Sequence, residues 1–202
     1  MSKTVVKVNR APVLTLWAAV VAERLGFDEE AALTLGKAMA GYTAQSKGRW
    51  LGIYEEKEKD ESKPQPREPD PLRNPLRDAA PASPAEPEGL GPEGPKLDLI
   101  FVNLMGRSLP AIQTPAGVRA AEKGQPSDPE SVRRYLKGKF GKHLDDVTTS
   151  MRMLAASYPV DRLEMEAYGL YERFRPKVEK GKRGWGAQGE LDLEAMYNLR
   201  PV

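Results

Sequence analysis

The stretch NRAPVLTLWAAVVAERLG, residues 9–26, is the first strong structural signal in this chain of 202 residues. Asn9 can cap a helix at this point, and Pro12 fits the first helical turn, where a backbone N–H has no partner in any case. Gly26 is placed to end the helix as a C-cap. Apolar side chains cover more than half of the circumference, so the stretch predicts a mostly buried helix.

A second helix is predicted to begin at Asp28, because Glu29 and Glu30 then lie near the positive end of its dipole. Its apolar side chains recur every three or four residues, which is typical of a one-sided helix: Ala32, Leu35, Met39 and Tyr42. The pattern fades near residues 46–48. The two helices should form a hairpin, which is too small to hold a core alone.

The segment that follows is rich in proline and acidic residues. Ten of the chain's 18 prolines lie between Pro64 and Pro95, and residues 55–95 contain eleven acidic against six basic residues. Such a segment cannot bury enough apolar surface to offset the entropy of ordering it, so we predict a disordered linker at 55–96. It separates an N-terminal hairpin, 9–54, from a body at 97–202. The chain outside the linker carries a net charge of about +7, which the whole-chain value of +2 conceals.

The C-terminal body is predicted to contain one β-hairpin and mostly helix. Residues 97–103 indicate a strand, and residues 108–113 indicate a return strand in which Pro110 favours an edge position. Helices are predicted near 128–141, 143–157, 160–174 and 191–199. The predicted fold class is therefore mainly α, a helical bundle with a small β-hairpin and a long disordered proline-rich acidic insertion. The N-terminal hairpin is expected to dock on the body.

Composition excludes several classes of site. The chain has no cysteine, so disulfides, thiolate metal sites and cysteine nucleophiles are ruled out. His143 is the only histidine, and capping at a helix start explains it together with Asp145 and Asp146 beside it. We therefore expect no metal or cofactor. Residues 1–10 lack the apolar run of a signal peptide, and no apolar stretch reaches the roughly 20 residues of a membrane span. A soluble cytoplasmic protein without a membrane partner is expected.

Three clusters combine basic, glycine and aromatic residues, the mixture that nucleic-acid surfaces use. They lie at residues 47–50, 133–142 and 173–185. The middle cluster is the densest, with five basic side chains in ten residues and no acid. On a helix, Arg133 and Lys137 lie one turn apart and Arg134 lies about 100° around the axis, which gives a basic face.

A structural interpretation stands beside the functional one for each cluster. Basic residues favour helix C-termini, and the glycines of these clusters suit C-caps. Tyr135, Leu136 and Phe140 are also typical of a core. The glycine-rich loop around Trp185 lacks the order of a Walker phosphate loop, so Trp185 is either a packing device or a contact surface.

The blocks near residues 9–53 (NRAPVLTLWAAVVAERLGFDEEAALTLGKAMAG) and 159–193 (ending FRPKVEKGKRGWGAQGELDL) carry a resemblance. Together they are similar to a bacterial family of conserved hypothetical proteins with no assigned activity. The resemblance implies a bacterial origin, and it transfers no catalytic or binding residue.

The sequence favours a non-catalytic, DNA-binding protein. The side chains predicted to contact phosphates are Arg133, Arg134, Lys137, Lys139 and Lys142, extended by Lys47, Arg49, Lys180, Lys182 and Arg183. The alternative is a protein-interaction adaptor or regulatory subunit that uses the linker or the Trp185 loop. An enzyme is left open without a supporting constellation of residues. A deep pocket that holds Glu23 or His143 with a charged partner would favour one.

Overall fold

A computed structural model describes residues 5–50, 98–178 and 187–201, and it describes no side chains for residues 45–50. The predicted linker at 55–96 and the Trp185 loop lie outside the described residues. The elements in chain order are β1 (Val5–Asn9), α1 (Arg10–Arg24), α2 (Glu29–Trp50), β2 (Asp98–Leu104), β3 (Arg107–Thr114), β4 (Gly117–Glu122), β5 (Gln125–Pro126), α3 (Pro129–Phe140), a 3-10 turn (Gly141–His143), α4 (Leu144–Ala156), α5 (Val160–Phe174), β6 (Gln188–Asp192) and α6 (Leu193–Tyr197).

The fold is mixed α and β, so the predicted mainly α bundle with one small hairpin is wrong. A four-stranded antiparallel sheet has the order β2-β3-β4-β5, and a second sheet pairs β1 with β6. The sequence pattern identified only β2 and β3. β4 was missed because GVRAAE contains Val118 as its only β-branched residue and no aromatic residue, which is too weak a signal for a strand. β1 and β6 were missed because they pair across most of the chain, Val5 with Asp192.

Helix α1 forms the centre of the core, as its apolar circumference predicted. Every residue from Pro12 to Ala22 is buried, because α1 packs against α2 on one side and against α4 and α5 on the other. Trp17 is fully buried and donates its indole N–H to the carbonyl of Ala167 on α5, 2.8 Å away. Its ring meets Phe174 edge to face at 5.3 Å between centroids. The N-terminal and C-terminal parts of the chain therefore share one core.

The helix ends differ in part from the sequence prediction. Gly26 follows α1 with φ = 99°, a conformation that favours glycine, and the predicted C-terminus is confirmed. Asn9 stands at the N-cap of α1, but its side chain makes no capping hydrogen bond because the residue also ends strand β1. Asp128 caps α3, since its carboxylate accepts from the backbone N–H groups of Glu130 and Ser131.

The sheet is joined to the helices through β4. Arg119 on β4 is buried, and its guanidinium bonds to Glu30 and lies 3.4 Å from Asp28 at the start of α2.

Pro110 lies on an inner strand rather than on the edge strand that the sequence favoured. It is tolerated because β4 pairs with β3 only from Ala111 onward, so no ladder hydrogen bond to β4 is required at Pro110.

Candidate nucleic-acid interface

Helix α3 presents the densest predicted basic cluster on the outside of the core. Its apolar side chains recur every four residues and are buried, namely Val132, Leu136 and Phe140. They pack toward α1, α2 and α4, so the remaining positions of the helix point away from the core. Gly141 ends the helix with φ = 55°, and the 3-10 turn that follows keeps Lys142 exposed.

Arg133 is held by acidic side chains of the protein itself. Its guanidinium lies 3.0 Å from the Glu29 carboxylate at the start of α2 and also bonds to Glu130 one turn before it. These hydrogen bonds, that of Glu29 above all, raise the pKa of Arg133 above its ordinary value. Much of the charge of Arg133 is therefore compensated within the fold.

The other four cations of the cluster remain available to a ligand. The Arg134 side chain is 79% exposed, and its nearest acidic partner, Asp128, lies 3.9 Å away. Lys137, Lys139 and Lys142 are exposed, and none of them forms an ion pair with another described residue. The cluster thus keeps four cations within nine residues of the chain.

An aromatic ring accompanies one of these lysines. The Lys139 ammonium lies 6.0 Å from the ring centroid of Tyr135, at the outer limit of a cation–π contact. Burial raises the pKa of the Tyr135 phenol, so its hydroxyl stays protonated near neutral pH. Tyr135 is half-buried rather than part of the closed core. The Tyr135 side chain therefore packs against the core in part and reaches the surface in part. The interpretation as a core residue and the interpretation as a contact residue are each half right.

No described contact links the other predicted contact residues to the surface of α3. Lys47 and Arg49 lie in the last turns of α2, where side chains are not described. Lys180, Lys182 and Arg183 lie outside the described residues.

Glu23 and His143 are the two candidates for acid–base chemistry, and their surroundings differ. Glu23 forms a bidentate pair with Arg152 on α4, with N–O distances of 3.0 and 3.2 Å, which is a structural role for this acid. His143 stands at the N-cap of α4, but its side chain makes no capping hydrogen bond, so the predicted capping role is wrong for this residue. Among residues 5–50, 98–178 and 187–201, no three His, Asp or Glu side chains are grouped to hold a metal ion. No helix in the described part of the chain has the length and apolar character needed to cross a membrane.

Two surface features of the fold were not predicted from the sequence. β2 exposes Leu99 and Phe101 on its outer face, with 59% and 69% of each residue accessible. Arg107 lies 5.6 Å from the ring centroid of Tyr42, although the two residues are far apart in the chain. The only local signal for the first feature is that side chains of a strand alternate between its two faces, which places Leu99 and Phe101 on the same face. No local signal exists for the second.

Comparisons with family models, curated proteins and solved structures found no match to this chain. They therefore do not confirm the resemblance to a bacterial family.

Proposed function

We propose that the protein binds DNA without catalysing a reaction, through the last two turns of α3 and the turn that follows. One observation carries the proposal: Arg134, Lys137, Lys139 and Lys142 are exposed, the three lysines have no ion pair with a described residue, and Arg134 has only the 3.9 Å contact with Asp128. Such cations can neutralise the phosphates of a duplex backbone. The resemblance and the absence of cysteine favour a bacterial cytoplasm as the place of this function.

The contacts would be made to phosphates and would carry little sequence information. Each phosphate neutralised by a lysine or arginine releases condensed counterions, so affinity falls as salt rises. With four such contacts, the binding constant should fall roughly 150-fold between 50 and 200 mM salt. Apolar contacts to a protein partner would not show this dependence.

Arg133 is unsuitable for the test, although the sequence suggests it. Reversing its charge would place a third carboxylate beside Glu29 and Glu130, and the fold would lose stability together with any binding. Lys137 and Lys142 have no described ion-pair partner. The double variant Lys137→Glu and Lys142→Glu therefore removes positive charge from the surface with less effect on the fold.

The test is fluorescence-polarisation binding of a short labelled duplex to the full chain, with salt varied. The matched control is Arg24→Glu with Lys7→Glu, which changes the net charge equally at two exposed sites outside α3 and outside the three basic clusters. We expect the α3 variant to weaken binding at least tenfold, or about 1.4 kcal/mol, and the control to bind nearly as the unaltered chain does. Equal affinities of the two variants would refute the assignment to α3.

A second candidate function, a protein-interaction adaptor, is favoured by strand β2. This strand is the first in its sheet and pairs only with β3 among the described residues. Its exposed Leu99 and Phe101 offer apolar contacts beside an open edge, which is how an extended peptide adds to a sheet. Binding of a labelled peptide of alternating apolar and polar residues, lost in Phe101→Lys and insensitive to salt, would support this function. Peptide binding unaffected by Phe101→Lys would exclude it at β2.

A further inference from the structure

A cavity of about 630 Å³ lies between α2, the β3–β4 ladder and α3. Its walls are mostly apolar and small, formed by Ala38 and Gly41 of α2, Leu109 and Pro110 of β3, and Ala121 of β4. The volume lies within the range of sites that hold one small organic molecule, about 300–1,000 Å³. The cavity is open at the surface, so a ligand can enter without unfolding an element.

Charge at the rim of the cavity is predominantly positive. Lys37 and Glu122 both line it and bind each other at 3.0 Å, and Ser127 lies 3.3 Å from the same carboxylate. The Lys37 hydrogen bond lowers the pKa of Glu122, so this acid is ionised and compensated by Lys37. Lys123 also lines the cavity and has no ion-pair partner among the described residues. Lys139 does not line the cavity, but its ammonium lies 6.0 Å from the ring centroid of Tyr135, which does.

Two tyrosines line the same cavity and give it aromatic surfaces. Tyr135 contributes from α3 and Tyr42 from α2. Each ring has a cation nearby, Lys139 at 6.0 Å from the Tyr135 centroid and Arg107 at 5.6 Å from the Tyr42 centroid. Apolar walls with aromatic rings favour a flat apolar body, and the surrounding cations favour an acidic group attached to it.

We propose that this cavity is a binding site for a small aromatic anion, whose ring system lies against the apolar walls and whose acidic group meets Lys123. The proposal does not depend on the proposed DNA surface, although α3 contributes to both through Tyr135 and Lys139.

The probe is 8-anilinonaphthalene-1-sulfonate, an aromatic sulfonate whose fluorescence rises in an apolar site, titrated into the full chain. Gly41→Leu adds a side chain to the cavity wall, and no atom lies within 4 Å of the new Cβ. Gly169→Leu is its matched control at an exposed position of α5, where the Cβ also meets nothing within 4 Å. Lys123→Glu tests the charge, with Arg24→Glu as its control at an exposed site outside the cavity.

We expect Gly41→Leu to weaken probe binding about tenfold and Lys123→Glu about fivefold, with both controls within about twofold of the unaltered chain. A neutral analogue, N-phenyl-1-naphthylamine, should respond to Gly41→Leu and not to Lys123→Glu. The proposal is overturned if the unaltered chain fails to bind the sulfonate, or if binding survives Gly41→Leu. It is also overturned if Phe101→Ser alone abolishes binding, because the probe would then occupy the exposed face of β2.

Discussion

Replacement of Gly36 by alanine tests whether α1 and α2 need a close approach at this point. Gly36 is buried within α2 and faces α1. A Cβ built on it would lie 2.4 Å from the carbonyl oxygen of Thr15, 3.0 Å from the backbone nitrogen of Ala19 and 3.1 Å from the Ala19 Cβ. Two of these three atoms belong to the backbone and cannot rotate away, so the helices themselves would have to separate.

Two opposing effects determine the magnitude. Alanine in place of glycine inside a helix stabilises it by about 1 kcal/mol. Overpacking of a core typically costs about 1–3 kcal/mol, and this contact belongs near the upper end because α1 is enclosed by α2, α4 and α5. We therefore expect Gly36→Ala to lower the free energy of unfolding by about 2 kcal/mol, or the melting temperature by about 4–8 °C.

Urea unfolding followed by circular dichroism measures this change. The matched control is Gly169→Ala on α5, where the new methyl group meets no atom within 4 Å. That variant keeps the gain in helix propensity without the clash, so it should stabilise the chain by about 0.5–1 kcal/mol. If Gly36→Ala were as stable as Gly169→Ala, the close packing of α1 on α2 would be wrong.

Three further predictions follow from buried or paired side chains. Arg119→Met should lower the free energy of unfolding by about 2 kcal/mol, measured by urea unfolding. This cost is smaller than that of breaking a fully buried ion pair, because the partner Glu30 is nearly half exposed. Glu122→Gln should cost about 0.2–1 kcal/mol at neutral pH. Since Lys37 lowers the pKa of Glu122 below its ordinary 4.5, this difference should disappear as pH falls below that value, in urea titrations at several pH values. Trp17→Phe should cost about 2–3 kcal/mol, because it leaves a cavity and removes a buried hydrogen bond to α5.

The helices could be predicted from the sequence because their information is local. Apolar side chains spaced by three and four residues place α4 and α5 within about two residues of their observed bounds. Proline and glycine mark the ends, as at Pro159 before α5 and Gly26 after α1. No distant part of the chain is needed to read these signals.

The sheets could be predicted only where both strands are adjacent in the chain. β2 and β3 are joined by a tight turn at Gly106, so their patterns could be recognised together. β1 has three valines in its five residues, but its partner β6 lies more than 180 residues later and contains two acids and a glycine. A strand of that composition becomes recognisable only when its partner is known, because pairing and burial decide its conformation more than intrinsic preference does.

At the candidate interface, too, the sequence alone could not show which positive charges are compensated by acids from distant parts of the chain. The sequence treats all cations of residues 133–142 alike, whereas the fold divides them according to what α2 brings beside them. Arg133 meets Glu29, 104 positions earlier in the chain, and much of its charge is thereby compensated. Lys137, one turn further along, meets no described acid. A local run of basic residues therefore overstates the charge offered to a phosphate backbone, and the part that remains after internal pairing should set the salt dependence of binding.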